Sequence, residues 1–399
     1  MKRMAIRRIF LLLMTNISFV IASNAQVYEH LRDDDYYIDT TAEKTLSVEI
    51  DALTFFRDNE YNSSLTKGYS LPGLWINPKA EYNPNNKVHL ELGFNAIIYE
   101  GANKYPNYAY HDISTWKGNQ YQSGAHIVPW FRAQANTKHS CLVFGNIYGG
   151  SNHMLSEDMY NSEQDLSADP EMGFQALIDY DYWHFDTWIN WQSYIFEEDS
   201  HQETFTVGIN SIHRWNNKNS KLHIYTPIQA LIQHRGGEQD TTSMGVQTLM
   251  NGSIGINALY NVDCKALKKL EFSLKALGCF QESGELWPKT KGGAFNISAS
   301  AYMWKYLHIK GGWFRAPEYY VNLFGSPLLS TYSMKTNSEV FKGMSTYYLR
   351  VDYSKTYANN CTLGFNADLF INNSHNLYEV NNSFGIYFRV NPSFILKKF

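Results

Sequence analysis

Apolar and polar residues alternate with a period of two along most of this chain. The clearest stretch is Leu74 to Ile98. In its second arm Val88, Leu90, Leu92, Phe94, Ala96 and Ile98 alternate with His89, Glu91, Gly93 and Asn95. In its first arm Leu74, Ile76, Pro78, Ala80 and Tyr82 alternate with Trp75, Asn77, Lys79 and Glu81. A period of two puts each class on its own face of a β-strand. Asn83-Pro84-Asn85-Asn86-Lys87 between the arms reads as a tight turn. The unit is a hairpin with one apolar and one polar face.

The rhythm recurs about sixteen times, from the strand near 45–57 to the one near 381–394. Leu363, Phe365, Ala367 and Leu369 alternate with Gly364, Asn366 and Asp368. The polar face is thin in only two segments, 140–148 and 306–316. Connections alternate in length. Long ones are expected near 58–68, 100–125, 149–170, 197–202, 236–244, 282–292, 317–343 and 372–380. Short ones are expected near 83–87, 137–139, 181–183, 216–220, 261–267, 305 and 357–360. Long loops on one side and short turns on the other are the signature of a transmembrane antiparallel up-and-down β-barrel, all-β and apolar outside. Long loops are then extracellular, short turns periplasmic, and an even strand number puts both termini in the periplasm.

The N-terminus supports export. Lys2, Arg3, Arg7 and Arg8 precede the apolar run Ile9 to Ala22, and Ser23-Asn24-Ala25 offers a cleavage site. The run is too short for a membrane span, so residues 1–25 read as a secretory signal peptide. Residues 26–43, with Asp33-Asp34-Asp35, read as an N-terminal periplasmic segment, either a tail or a stretch folded back toward the pore. Residues 44–399 are the barrel, with no linker or break in composition. Cleavage after Ala25 leaves 374 of 399 residues and takes the formal charge from −4 to −8. An acidic chain of this kind is a poor partner for nucleic acid. Aromatic residues make up 16% of the chain, with 29 Tyr, and barrels concentrate Tyr where lipid meets water.

The last strand carries a resemblance. Ser383, Gly385, Phe388 and Val390, with Phe399 at the end, are similar to the C-terminal assembly signal of bacterial outer-membrane barrels. Phe399 is out of phase with Phe384, Ile386, Phe388 and Val390, which places Ile395 to Phe399 beyond the strand. From signal peptide to terminal strand, the plan resembles general porins. That resemblance implies the outer membrane of a Gram-negative bacterium. It also implies contact with outer-membrane lipid and the barrel-assembly machinery, and a homo-oligomer.

A barrel of sixteen strands encloses an aqueous lumen. The polar face brings Asp51, Glu91, Arg132, Arg350, Asp368 and Arg389 to it as candidate pore-lining residues, with Arg350 opposite Asp368 in an even register. The same charges also suit a packed network that stiffens the wall. His153, Arg235 and Arg315 stand beside Gly or Pro breaks at the expected outer rim, where inward-folded loops would build a constriction or a solute site. Tyr105, Tyr108, Tyr110, Trp116 and Tyr121 crowd the 100–125 loop and suit either a saccharide or the interfacial belt.

Enzyme motifs such as GxSxG, HExxH and Walker A are missing. His139-Ser140 and Ser374-His375 are adjacent, so on a strand they would point apart. Ser151 and His153 have better spacing, within a loop. No catalytic residue, cofactor or metal site is expected. Cys141, Cys264, Cys279 and Cys361 lack CxxC or metal-ligand spacing. The expected function is passive passage of small polar solutes, saccharides among them. The rival readings are a conduit exporting a surface polymer or protein with a periplasmic partner, and a closed surface-binding barrel.

Overall fold

The computed structural model describes residues 36, 42–99, 124–195, 201–217, 219–237, 243, 245–262, 264–336, 339–358, 360–374 and 377–399. The signal peptide and the aromatic loop 100–123 therefore lie outside the described residues.

Every expected strand is present. In chain order they are β1 (Thr45–Asn62), β2 (Lys67–Asn85), β3 (Val88–Tyr99), β4 (Gly124–Asn136), β5 (Ser140–Asn146) and β6 (Met172–Tyr180). Next come β7 (Trp183–Ser193), β8 (Thr204–Arg214), β9 (Leu222–Arg235), β10 (Gln247–Asn261), β11 (Leu267–Ser283) and β12 (Lys291–Met303). The last are β13 (Leu307–Ala316), β14 (Met344–Ala358), β15 (Cys361–Ser374), β16 (Leu377–Val390) and β17 (Ser393–Lys398). β1 to β16 each pair antiparallel with their sequence neighbours, and β1 closes the ring by pairing with both β2 and β16.

The seventeenth strand corrects the reading of the tail. A break at Asn391-Pro392 interrupts the ladder, since proline has no amide to donate. The chain then resumes beside Thr45–Glu49 of β1, with Phe394 opposite Val48. Residues 393–398 thus extend the closing stave, and the break accounts for Phe399 being out of phase. The result is a closed sixteen-stave barrel plus this extension.

Alternation decides which face meets what. On β3, Leu90, Leu92 and Phe94 are exposed, Leu92 at 70%, while Glu91 and Asn95 are buried. The exposed apolar face wraps the barrel, as lipid requires. At the turn end Tyr180, Trp215, Tyr260, Trp304 and Tyr357 are exposed together and form an interfacial aromatic belt.

The connections differ from expectation at two places. Residues 63–66 between β1 and β2, and 375–376 between β15 and β16, are as short as the turns. Asn59 and Asn372 lie in what had read as loop. They are buried, inward-facing strand residues, so their polarity belongs to the lumen and not to solvent.

The interior is filled on the loop side. β5 has only seven residues, so the chain leaves the wall at Asn146 and enters the lumen. Residues 147–171 and 317–343 both fold inward, and Met159, Tyr320, Leu328 and Thr331 are 0% exposed. They share one apolar core with wall residues from β5 round to β15, including Val143, Trp188, Leu249 and Phe370. The two strands with thin polar faces explain themselves here. Cys141 and Val143 of β5, and Phe314 and Ala316 of β13, face this plug instead of water.

Candidate functional site

Wall amides hold the plug by its backbone. Asn210 Nδ2 donates to His153 O at 2.8 Å and Gln229 Nε2 to Met154 O at 3.0 Å. Asn251 Nδ2 donates to Val321 O at 2.8 Å, and its Oδ1 accepts from Leu323 N at 2.6 Å. Asn372 Nδ2 donates to Leu328 O at 3.0 Å. Buried backbone groups need such partners, and inward-facing Asn and Gln supply them where no strand can.

Ion pairs hold it by its acids. Arg350 lies opposite Asp368 in the ladder, with Nε 2.8 Å from Oδ1. Its Nη1 reaches Glu157 of the plug at 2.8 Å. Arg57 bridges the same Asp368 at 2.9 Å and Glu163 of the plug at 2.7 Å. Asn59 and Tyr69 donate to Glu163 as well. Burial pushes the Glu157 carboxyl up, against the pull of Arg350.

His153 sits deepest. It closes the 3-10 turn Gly150–His153 and is 1% exposed, inside the barrel and not at the outer rim where its loop position had placed it. Its Nδ1 donates to Asp186 at 2.7 Å and its Nε2 to Glu171 at 3.2 Å. The ring stacks on Trp188 with centroids 3.4 Å apart. Trp188 lies flat because a Cβ at Gly208 would come within 2.0 Å of its ring. Burial opposes the imidazolium, but Asp186 and then Glu171 outweigh it and raise its pKa to about 9. With both nitrogens donating to carboxylates, His153 is a cationic clasp and offers no lone pair to a neighbouring hydroxyl.

Ser151 instead bonds Asp165, which also accepts from Tyr160 at 2.8 Å. Gly150 adopts φ 61°, and a Cβ there would sit 2.2 Å from Asp165 Oδ1, so the turn requires glycine. Burial raises the Asp165 pKa to about 6, against its bonds from Ser151 and Tyr160.

Two spaces remain. A polar cleft of about 150 Å³ lies between the plug and the β1–β4 wall, bordered by Trp75, Asn77, Asn95, Trp130, Asn152 and Gln164. A vestibule of about 390 Å³ lies on the turn side, bordered by Tyr225, Lys269, Glu271, Lys275, Lys310 and Arg350. Ser151 and Tyr160 line both. The vestibule shares Ile212, Tyr225, Leu259 and Lys269 with a mouth of about 510 Å³ among the turns. Tyr36 of the N-terminal segment also lies inside the barrel. Its hydroxyl donates to Asp179 at 2.6 Å, and its carbonyl accepts from Asn136 at 2.9 Å.

The other sequence candidates face inward but arrive paired. Asp51 holds Arg389 in a two-pronged pair at 2.8 and 2.6 Å, beside the β1–β16 seam. Glu91 accepts from Trp130 at 2.6 Å, His89 at 3.0 Å and Arg132 at 3.1 Å. Arg132 also donates to Asn146 O at 2.7 Å and lies 3.9 Å over the Tyr148 ring, at the root of the plug. Arg235 is buried at the loop end of β9 and bonds Gln233. Arg315 lies on the outer face at the loop end of β13 and bonds Ser345 at 3.0 Å and Gly343 O. Glu81, His89 and Glu91 lie within 4.8 Å of one another, the spacing of a metal site. The cation they already hold is Lys79, 3.4 Å from Glu91 and 3.6 Å from Glu81.

Sequence reasoning missed Arg57, Glu157 and Glu163. Arg57 had a signal, since it continues the odd-numbered inward set of β1 through Asp51. The two glutamates sit in a loop without periodicity and had none.

The profile of the lipid A 3'-O-deacylase-type family matches residues 38–399, the whole described barrel. The chain belongs to this family. No curated protein matches. Among solved structures, the chain is similar to Acinetobacter baumannii OccAB3, with 8% identity over 88% of this chain and 99% of that one and a TM-score of 0.48. Pseudomonas aeruginosa OpdK is 8% identical over 88% and 100%, with a TM-score of 0.49. The trimer form of Vibrio cholerae OmpT is 10% identical over 87% and 100%, with a TM-score of 0.47. The likeness is one of barrel architecture. This family member is a closed sixteen-stave β-barrel with a lumen plugged from the loop side.

Proposed function

We propose that this barrel conducts small polar solutes, saccharides among them, through the cleft beside the plug into the vestibule and out among the turns, which face the periplasm. The observation that carries this reading is that the two spaces border the same plug residues, Ser151 and Tyr160. The cleft combines the indoles of Trp75 and Trp130 with the amides of Asn77, Asn95, Asn152 and Gln164. Trp75 Nε1 and Gln164 Oε1 are buried without hydrogen-bond partners among the described residues. Indole faces and unsatisfied amide groups suit a hydroxyl-rich ligand. Asp51, Glu91, Arg132, Arg350, Asp368 and Arg389 then act on the solute mainly by fixing the walls and the plug of this route.

The test is single-channel conductance of the refolded chain, without residues 1–25, in a planar bilayer. Small ohmic steps are expected, rising when residues 154–168 are replaced by a short Gly-Ser link. A folded barrel that stays silent in both forms would sink the reading.

Family membership favours a second reading, hydrolysis of a lipid A acyl ester. Ser151 on Asp165 is the hydroxyl–carboxylate pair that borders the cleft. Against it, the pair lies inside the wall, away from lipid, and His153 is committed to Asp186 and Glu171. Mass spectrometry of lipid A incubated with the folded protein decides it. Loss of an ester-linked acyl group that stops on Ser151→Ala would establish an enzyme.

A further inference from the structure

We infer that a gap in the wall above β5 is a side portal, through which a single-chain glycoside enters the cleft from the surrounding membrane. The alkyl chain lies in the gap and the sugar among the indoles and amides of the cleft. This deepens the proposed solute route and rests on it for the sugar end alone.

The gap follows from strand pairing. β4 runs from Gly124 to Asn136, yet only Arg132–Asn136 pair with β5. Among the described residues, 124–131 of β4 have a strand partner on the β3 side alone. On the far side β6 begins at Met172, and beyond Asn190 the strand β7 pairs only with β8. The β5–β6 pairing leaves the wall and continues into the lumen, where Ile147 N donates to Glu171 O at 3.1 Å. Gly145 makes the bend with φ 94°, where a Cβ would come within 2.3 Å of Phe131 O.

The free edge is finished for an apolar surrounding. Phe131 N donates to Asn146 Oδ1 at 2.8 Å. Alternate residues of a strand point their amides to the same side, so the next donor on this edge would come from position 129. That residue is proline and has no amide to leave bare. Across the gap Asn190 Oδ1 accepts from Met172 N at 3.2 Å. Such economy matters in hydrocarbon, where an unpaired amide is costly. Ile127, Phe131, Phe144 and Phe174 are exposed around the gap, and Leu92, Phe94 and Ile98 continue the same apolar face along β3.

The gap borders the cleft. Trp130 on its edge, with Ile147 and Glu171 where the chain turns inward, line that space. His126 of β4 meets Asp169 of the plug across it at 3.1 Å. These two side chains are 25% and 29% exposed, whereas Arg132 and Glu91, a pair in the closed wall just below, are 3% exposed each. The pair bars the gap without sealing it. β4 and β7 stand three staves apart, about 14 Å. Backbone and side chains on the two edges take up most of that width, which leaves room for one alkyl chain and not for several. A ligand held here needs an apolar tail for the gap and a hydroxyl-rich head for the cleft, and a single-chain glycoside has both.

The test is photolabelling of the folded chain, without residues 1–25, in lipid nanodiscs. The probe is dodecyl maltoside with a diazirine in its alkyl chain, and mass spectrometry of peptides locates the label. Label on 126–131 and 144–147 should exceed that on the equally apolar wall around Ile254 and Phe272 at least fivefold. Excess maltose should lower it, and a diazirine-bearing dodecanol should not reproduce it. Val128→Trp, which fills the gap from its edge, should lower the label at least fivefold. Val128→Leu should keep it, which separates blockage from misfolding. Even labelling of the whole wall, label that ignores Val128→Trp, or equal label from dodecanol would each overturn the proposal. Label that appears only when residues 100–123 are deleted would overturn it too, with that segment as the occupant. A barrel that conducts but shows no enriched label would reject the portal and leave the solute route standing. Enriched label on a barrel that never conducts would do the reverse.

Discussion

The two halves of the lumen use the same residue types for opposite ends. On the loop side, charges are neutralised in place: Asp368 joins Arg57 and Arg350, and His153 is clasped by two carboxylates. On the turn side, Arg214, Lys269 and Lys310 face a cavity that opens to the mouth. Burial makes the difference. A charge taken out of water must find a partner or cost several kcal/mol, whereas a charge in a wet vestibule is free to serve a solute. Inward polarity in a barrel therefore does not identify a pore lining. Only the charges that water reaches are available for selection.

The comparison breaks first at Asp368. Asp368→Ala would leave two buried guanidiniums short of a partner. It should cost about 3–5 kcal/mol, measured by denaturant unfolding in detergent. A loss below about 1 kcal/mol would mean that water reaches Asp368 after all. Next in size is removal of the second inward loop. Replacing residues 319–332 with a short Gly-Ser link should raise bilayer conductance on the order of tenfold, because a sixteen-stave wall is wide enough for an aqueous channel. Unchanged conductance would place the resistance elsewhere.

The clasp sharpens the same contrast through pH. The His153 pKa is raised from 6.5 to about 9, so its stabilising charge is fully present below about 6.5 and is lost as pH rises through about 9. Protease cleavage within 154–168 should be absent at neutral pH and appear between roughly pH 8 and 10. His153→Ala should show it at neutral pH. Cleavage that ignores pH in the wild type would separate the clasp from the plug. The smallest effect belongs to the vestibule. Lys310→Ala should change unfolding stability by no more than about 0.5 kcal/mol. A larger loss would mean that this lysine is structural and not open to solutes.

Much of this was legible in the chain. Alternation located sixteen strands and their inward faces, and an even register set Arg350 against Asp368, as the ladder has them. It failed where polarity had two causes. Asn59 and Asn372 read as loop because a polar run looks alike in water and in a polar lumen. His153 read as rim because a loop's sequence carries no sign of which way the loop folds. The one available signal was indirect: Cys141, Val143, Phe314 and Ala316 are apolar on faces that should be polar, and these are the faces that the plug covers.

The sequence by itself determined the barrel, since a period of two and the lengths of most connections are local properties that backbone geometry turns directly into strands, faces and ends. It also determined which charges point inward. Tertiary structure alone decided which of those charges are spent. That depends on two loops entering the lumen from opposite sides, on Glu157 and Glu163 meeting Arg350 and Arg57, and on Asp186 and Glu171 closing on His153. These partners are brought together by the closure of the ring and the short β5, and no local pattern encodes a meeting between residues so far apart in the chain.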